Sequence, residues 1–455
     1  MADPATVTQW MRTQLAIVRA ERVNPPLATR IAAYGALALY EGFAAPAASP
    51  LRSLGGQLNG LGALPTSRAR LDGASVAIAA ERTVMAALLE AGFASTRRAV
   101  DTLASAQLAA RVRAGVPQVV HDSSVALGQR IGEALVAWAA VDSFAATRGR
   151  PYAPPTGRGV WVNTSTPDQH LPAALSGESD IVLERNAGNA TDYERAATRE
   201  LFMNRPKARG PSTLGALDPS KPTEPYWGRL RPFALAHADA CPIAPPPPYS
   251  EQPGSPFHIM AKAVYDTVRA LTPAQKATAL FWADNAAMTG TPGFHWMAVM
   301  SQMVSRRGLS AEQAAEMLAL TTVSIADAFI ATWREKYRSN VVRPVTYVQR
   351  VFDPRFTTVV ITPPFPEYPS GHSTQSGAAV RVLTRLLGDT IAFVDSTQVD
   401  IGYAPRAFAS FSAARDEVAI SRLYGGIHFL PAITEGVTMG ECIGDAVLTR
   451  LRTRR

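Results

Sequence analysis

Three short segments in the last third of the chain carry residues that could hold an anion and transfer a proton to it. The first contains Lys336 and Arg343, the second is the tetrapeptide PSGH at 369–372, and the third contains Arg422 and His428. Brought together, the lysine and the two arginines would place three cations in one site. Buried cations need anionic compensation. The three segments together therefore predict an anion-binding site.

The PSGH segment has the features of a helix start that binds an anion. Pro369 ends any helix before it, Ser370 is a favourable N-cap, and Gly371 lets the main chain approach a ligand closely. The free N–H groups of the first turn point at such a ligand, and the helix dipole adds to the attraction. We therefore predict a helix over 372–387 whose start holds a tetrahedral oxyanion.

The two histidines of these segments could divide the chemistry between them. His428 follows the flexible pair Gly425 and Gly426, and could reach the central atom of the oxyanion as a ligand or a nucleophile. His372 could exchange a proton with one of the oxygens. Each segment also has a plain explanation when read alone: a lysine complements a helix C-terminus, an arginine lies on the surface, or a histidine fills the core.

Read as one pattern, K-x6-RP, PSGH and SR-x5-H resemble the shared motif of the vanadium-dependent haloperoxidases and the related type 2 phosphatidic acid phosphatases. The resemblance runs from Lys336 to His428 with no part missing. It implies vanadate as the cofactor, with phosphate or sulfate able to substitute. It implies that His428 is the vanadium ligand, or the nucleophile toward phosphate, and that His372 is the acid/base. The oxyanion contacts that it implies are Lys336, Arg343, Ser370, Gly371 and Arg422, and Lys336 would also polarise the oxidant.

Two further positions resemble this family less sharply. The segment at 281–296 is similar to the one that precedes the site in bacterial haloperoxidase-like proteins, and there Asp284 could hold one of the arginines. A helix-surface aspartate is the alternative interpretation. Phe365 lies seven residues before His372, at a place that is often phenylalanine in chloroperoxidases and histidine in algal bromoperoxidases; simple core packing is the alternative.

The same oxyanion site would serve either of two reactions. In a haloperoxidase, hydrogen peroxide oxidises a halide to hypohalous acid or to a halogenated product of a small organic acceptor. In an acid phosphatase, His428 would attack phosphorus to form a phosphohistidine. The 455-residue length favours the peroxidase, because it is about twice that of the soluble phosphatases that the motif resembles. A non-catalytic oxyanion-binding protein is the third hypothesis.

The elements that must position these residues are predicted to be helical. Alanine and leucine are frequent, alternating β-branched runs are scarce, and apolar residues recur at helical spacing. We expect an all-α fold of two four-helix-type bundles, 1–149 and 256–455, joined by a long irregular Pro-rich crossover over 150–255 with one helical island at 190–203. Helices are predicted at 5–20, 28–44, 67–93, 94–113, 123–147, 256–269, 272–286, 294–305, 310–338, 372–387, 408–424 and 431–450.

The crossover contains PYWGRLRPF, 225–233, whose aromatic residues and arginines could approach an anion. Packing of Trp227 and Phe233 against a bundle is the alternative interpretation of this segment. Charge points to no nucleic-acid partner: the net charge is +8, but the basic residues are scattered apart from the run at 450–455.

No uninterrupted apolar stretch reaches the ~18–20 residues of a membrane helix, and the best candidate, 30–48, contains Arg30 and Glu41. The N-terminus does not have the layout of a secretory signal. We therefore expect a soluble protein without a membrane span, cytoplasmic or exported with a leader outside this sequence. A homodimer is plausible for a two-bundle protein of this size. Cys241 and Cys442 have no metal-ligand spacing and are expected to be free thiols, or to pair if the protein is exported.

Overall fold

The chain folds into a mostly helical structure, which confirms the all-α prediction. The computed structural model describes residues 3–165, 214–215, 217–285 and 290–455. In chain order the helices are α1 (Ala5–Glu21), α2 (Pro25–Ala44), α3 (Gly73–Leu88), α4 (Ala94–Arg113), α5 (Gln118–Ala140), α6 (Phe144–Thr147), α7 (Pro256–Arg269), α8 (Pro273–Phe281), α9 (Pro292–Arg307), α10 (Ala311–Ser339), α11 (Pro344–Val351), α12 (Gly371–Leu387), α13 (Phe411–Tyr424) and α14 (Leu430–Arg450). Strands β1 (Phe393–Asp395) and β2 (Arg406–Phe408) form an antiparallel pair.

Several predicted helix boundaries shift for local reasons. The helix expected at 67–93 begins only at Gly73, because the Asp72 side chain caps it by accepting a hydrogen bond from the Ser75 N–H. The helix expected at 272–286 ends at Phe281, so Asp284 follows the helix instead of lying on it. Helix α11 and the β1–β2 pair were not predicted, because each is too short to show a clear periodicity. The helical island at 190–203 lies outside the described residues.

Helix α10 connects the parts of the fold, since it packs against α2, α12 and α14. The largest apolar cluster draws on both halves of the chain, with Leu37 of α2, Phe329 of α10 and Val382 of α12 among its members. The division into bundles at 1–149 and 256–455 stays a prediction. In the described parts of 150–255 we find one short 3₁₀ turn, Trp227–Arg229. Trp227 and Phe233 are buried, as the packing interpretation of that segment predicts.

Helix α10 is also the one described helix that is long and apolar enough to cross a membrane by length and composition. Its apolar window has a mean hydropathy of 1.5 and is completely covered by other parts of the protein. A core helix of a soluble protein passes the same test. The apolar surface of α10 therefore contacts protein in this structure.

The two cysteines form a disulfide, so the expectation of free thiols was wrong. Cys241 lies in the Pro-rich segment and Cys442 in α14, with their Cα atoms 5.8 Å apart. The sequence did not predict this pairing, because the two cysteines are 201 residues apart and spacing alone does not show which distant segments meet. The bond ties the segment before α7 to the last helix of the chain.

A buried carboxyl group in the N-terminal helices carries a proton at neutral pH. Glu81 of α3 accepts a hydrogen bond of 2.6 Å at Oε1 from the Gln14 side-chain amide. Its Oε2 and the Gln14 Oε1 have no hydrogen-bond partner among the described residues. A protonated Glu81 would supply the missing donor between those two oxygens. Burial raises the pKa of Glu81 to about 8.

We expect Glu81→Gln to stabilise the protein in mildly alkaline buffer. The folded state holds the Glu81 proton more tightly than the unfolded state, so stability is fullest below pH ~4.5 and falls as pH rises through about 8. A glutamine can pair with the Gln14 amide in both directions without titrating. Thermal unfolding should show Tm at pH 8.5 raised by at least ~2 °C in the variant, with little change at pH 5. The exposed Glu90→Gln is the control; an equal Tm gain at both pH values would contradict the assignment.

Candidate functional site

The start of α12 forms one wall of the candidate site. Ser370 is its N-cap, with Oγ accepting a hydrogen bond from the Ser373 N–H at 3.3 Å. The Ser370 N–H donates to the Ala432 carbonyl at 2.9 Å, which fixes the turn against α14. A Cβ atom added to Gly371 would meet only the Trp333 ring within 4 Å, at 3.7 Å. The helix start is therefore rigidly held, and there is space in front of Gly371.

The Lys336 side chain is buried and reaches the loop that leads into α12. Its ammonium donates to the carbonyl oxygens of Pro366, Glu367 and Pro369 at 2.9, 2.9 and 2.5 Å. Three acceptors use all three donors of a lysine. Burial, with the charge of Arg343, lowers the pKa of Lys336 well below its usual value. Contact between Lys336 and an oxyanion therefore stays a prediction, and would require one carbonyl to be released.

The two predicted arginines are both buried, and each keeps part of its guanidinium unpaired. Arg343 donates from Nε to the Phe365 carbonyl and from Nη1 to the Ile427 carbonyl, both at 2.9 Å. Arg422 donates from Nη1 to the Trp282 carbonyl. Among the described residues nothing accepts from Arg343 Nη2 or Arg422 Nε. Burial lowers the pKa of Arg343 to about 9 and that of Arg422 to about 10.

His428 is held with one ring nitrogen available as a lone pair. Its Nδ1 lies 2.9 Å from Glu367 Oε1, which also accepts the Phe429 N–H at 2.9 Å. Nδ1 is therefore the protonated nitrogen, and Nε2 accepts from Arg343 Nη1 at 3.2 Å. Burial and the nearby cations, Arg343 first among them, lower the pKa of His428 well below 6.5. A neutral imidazole with an unprotonated Nε2 is the form that binds a metal centre, and binding there would replace the contact with Arg343 Nη1.

Glu367 is the anionic partner of this group. It is buried, and burial raises its pKa to about 7, although Arg343 and Lys336 oppose the shift. Glu367 was not among the predicted site residues. The one signal for it in the sequence is that it is a lone acid in a loop rich in proline and aromatic residues, between Phe365 and PSGH. The Phe365 ring lies over the two cations next to Glu367. Its centroid is 5.2 Å from Lys336 Nζ and 5.1 Å from Arg343 Cζ.

His372 faces the other side of the site. Its Nε2 lies 3.6 Å from Asp284 Oδ2 and has no hydrogen-bond partner in the described parts of the chain. Burial, Arg422, His295 and Lys336 lower the pKa of His372 well below 6.5, against a hydrogen bond with the Trp282 backbone. The Arg422 charge acts on both Arg343 and His428 as well. The structure therefore brings the three predicted segments to one place; the roles of their residues stay predictions.

Asp284 is buried beside His372 instead of lying on a helix surface. Its Oδ1 lies 2.8 Å from His295 Nδ1, and among the described contacts it makes no ion pair with an arginine at hydrogen-bond distance. Its charge still raises the pKa of Arg422 against the effect of burial. His295 was not among the predicted site residues, although it lies within the segment at 281–296 that resembles bacterial haloperoxidase-like proteins. Asp395 was not predicted either, because nothing in the sequence connects β1 with α9.

The donor set fits a small tetrahedral anion such as vanadate. Two buried guanidinium nitrogens, Arg343 Nη2 and Arg422 Nε, are donors without partners among the described residues. His372 Nε2 is also unpaired, and it is the nitrogen predicted to exchange a proton with the anion. The free N–H groups at the start of α12 add donors of the kind that bind phosphate. The guanidinium groups of Arg343 and Arg422 are both buried, and neither makes an ion pair with a carboxylate among the described contacts. A buried excess of positive charge is stabilised by an anion.

Comparisons with known proteins identify the family of this chain. Residues 316–454 match the family model described as the VCPO second helical-bundle domain. A solved structure titled as the first bacterial vanadium-dependent iodoperoxidase is 31% identical, with a TM-score of 0.79 over 99% of this chain and 97% of that one. The chain belongs to the vanadium-dependent haloperoxidase family.

Two further relatives are more distant. A bacterial vanadium-dependent chloroperoxidase structure, solved in its apo form, shares the fold at 16% identity and a TM-score of 0.66, covering 94% of each chain. The vanadium chloroperoxidase of Curvularia inaequalis is 29% identical over 150 residues. That alignment spans 28% of this chain and about a quarter, 24%, of the fungal protein.

Proposed function

We propose that this protein is a vanadate-dependent haloperoxidase that uses hydrogen peroxide to oxidise a halide, giving hypohalous acid or a halogenated small organic acceptor. The observation that carries the proposal is the state of His428. Glu367 accepts its Nδ1–H, so Nε2 carries the lone pair and lies 3.2 Å from Arg343 Nη1. The charges of Arg422 and His372 act on the same imidazole. The family membership and the fit of the unpaired donors to a tetrahedral anion support the same conclusion.

Vanadate would be held by His428 Nε2 and by the donors of Arg343, Arg422, Ser370 and Gly371. When bound it supplies a Lewis-acid centre that activates peroxide without a change of oxidation state. His372 has an unpaired Nε2 and a low pKa, so it is neutral at the pH of most assays and can take a proton from incoming hydrogen peroxide. Asp284, 3.6 Å away, would stabilise the imidazolium that results.

Lys336 would act on the geometry of the same site. By holding the carbonyls of Pro366, Glu367 and Pro369 it fixes the loop that carries Glu367 and leads into the start of α12. Phe365 covers Lys336 and Arg343 with an aromatic face and excludes water from both. Exclusion of water strengthens each electrostatic contact with a bound anion.

We expect halogenation of a dione when the protein is reconstituted with vanadate and supplied with hydrogen peroxide and a halide. Iodide is the first halide to test, because it is the most easily oxidised and the 31% identical relative is titled an iodoperoxidase; bromide and chloride follow. Added inorganic phosphate should inhibit the reaction by competing for the same donors. Halogenation should be absent without vanadate.

Hydrolysis of a phosphate ester, run alongside without vanadate, tests the alternative reaction. A phosphatase would cleave the ester with His428 as nucleophile and without any requirement for peroxide. Ester cleavage with no vanadate-dependent halogenation would overturn the proposal and favour the phosphatase hypothesis. Tight binding of phosphate with neither activity would favour the non-catalytic anion-binding protein.

A further inference from the structure

A row of buried acidic and basic side chains extends from His372 into the protein, away from the anion site. Asp284 Oδ1 lies 2.8 Å from His295 Nδ1, and His295 Nε2 lies 2.8 Å from Asp395 Oδ2. The three side chains are at most 2% exposed. They come from three separate places, the segment after α8, helix α9 and strand β1.

The protonation state of His295 follows from these contacts. Each ring nitrogen lies 2.8 Å from a carboxylate oxygen, and at Nδ1 that oxygen is nearer than the Gln398 amide nitrogen at 3.1 Å. Only an imidazolium donates to both carboxylates. Burial alone would lower the pKa of His295, but the charges of Asp284 and Asp395 raise it to about 10. His295 in turn lowers the pKa of Asp395, against the effect of burial. The row thus carries two negative charges and one positive charge at neutral pH.

The same row is attached to the candidate site by two contacts. The Trp282 ring stacks on His295, with centroids 4.4 Å apart and planes inclined by 28°, while the Trp282 carbonyl accepts from Arg422. Asp284, bound to His295 through one oxygen, turns its other oxygen to His372 Nε2 at 3.6 Å. The Gln398 side-chain amide donates to Asp284 Oδ1 at 3.3 Å and restricts the carboxylate further.

We propose that His295 and Asp395 are positioning residues for His372: together they fix the orientation of Asp284 and moderate the negative charge that it presents to the acid/base histidine. The inference rests on the proposed function, because it gives His372 the acid/base role. Without His295, Asp284 would lose the cation that balances it and would present its full negative charge to His372. Besides Asp284 and His295, the charged groups that act on His372 are Arg422 and Lys336.

The test is the substitution His295→Gln, which removes the cation and keeps one amide donor for Asp284. The uncompensated carboxylate should raise the pKa of His372. In the vanadate-reconstituted enzyme, the acid limb of kcat/KM for hydrogen peroxide should therefore move to higher pH. His237→Gln is the control, since His237 is exposed on the surface. A uniform loss of activity with an unmoved acid limb would show that His295 is only structural and overturn the proposal.

A second measurement separates this inference from the proposed function. In vanadate-free protein labelled with ¹⁵N-histidine, His295 should show two protonated ring nitrogens from pH 6 to pH 8. In Asp395→Asn the titration midpoint of His295 should fall, because one of its two carboxylates is gone. A neutral His295 ring at pH 7 in the unmodified protein would overturn the proposal, whether or not the enzyme oxidises halides. The two ¹⁵N results also keep the inference testable should His295→Gln fail to fold.

Discussion

Replacement of His428 by alanine should abolish vanadate-dependent halogenation and weaken vanadate binding by more than ~100-fold. Loss of a residue that only orients a metal ligand costs about 10–100-fold in affinity or activity, so loss of the ligand itself should cost more. The His428 ring is fixed in the site by the hydrogen bond from Nδ1 to the buried Glu367, which leaves the lone pair on Nε2. The measurements are equilibrium dialysis with vanadate and the halogenation assay.

Two comparisons make this result specific. His237→Ala removes a surface histidine that is 65% exposed, and it should leave both measurements unchanged. His372→Ala should stop turnover while it retains most of the vanadate affinity, because we assign His372 to proton transfer and not to ligation. Halogenation that survives in His428→Ala, with the fold intact by circular dichroism, would remove the basis of the proposed function.

The sequence predicted the helices from local patterns, and it predicted the convergence of the three segments from their resemblance to a known family motif. PSGH combines a helix stop, an N-cap and a small residue in four positions, and α12 begins within that segment. The Lys336 and Arg343 pair lies at the end of α10 and the start of α11, two adjoining elements. Lys336, Arg343 and Ser370 therefore lie at helix ends, where residue types can be interpreted without a distant partner.

The partners of these residues could not be predicted in the same way. Glu367 reaches His428 across 61 positions, and Asp395 reaches His295 across 100. Neither pair has a local signal, because the contact exists only after α9, α12 and the loops around them have packed. The Cys241–Cys442 disulfide was missed for the same reason. Long-range pairing of polar groups is set by tertiary packing, which a single sequence does not display.

Substitution of Arg343 by alanine should lower the affinity for inorganic phosphate and for vanadate by roughly 100-fold. The guanidinium is fully buried, with Nη1 beside His428 and Nη2 unpaired. Two charge-assisted hydrogen bonds to an anion contribute about 1.5 kcal/mol or more each, which together correspond to about two orders of magnitude. Titration calorimetry with phosphate on the vanadate-free protein measures this without any dependence on catalysis.

The variant must be compared with others, because Arg343 also balances Glu367 and could affect folding. Without it the pKa of Glu367, already raised to about 7 by burial, should rise further, and the carboxyl would be neutral. Arg343→Lys keeps the charge but loses the planar set of donors, so it should recover only part of the affinity. Arg355→Ala, at a side chain that is 93% exposed, should bind phosphate normally. If Arg343→Ala folds and binds phosphate less than ~3-fold more weakly, the unpaired Nη2 does not bind an anion. Loss of a single charge-assisted hydrogen bond would already weaken binding by more than that.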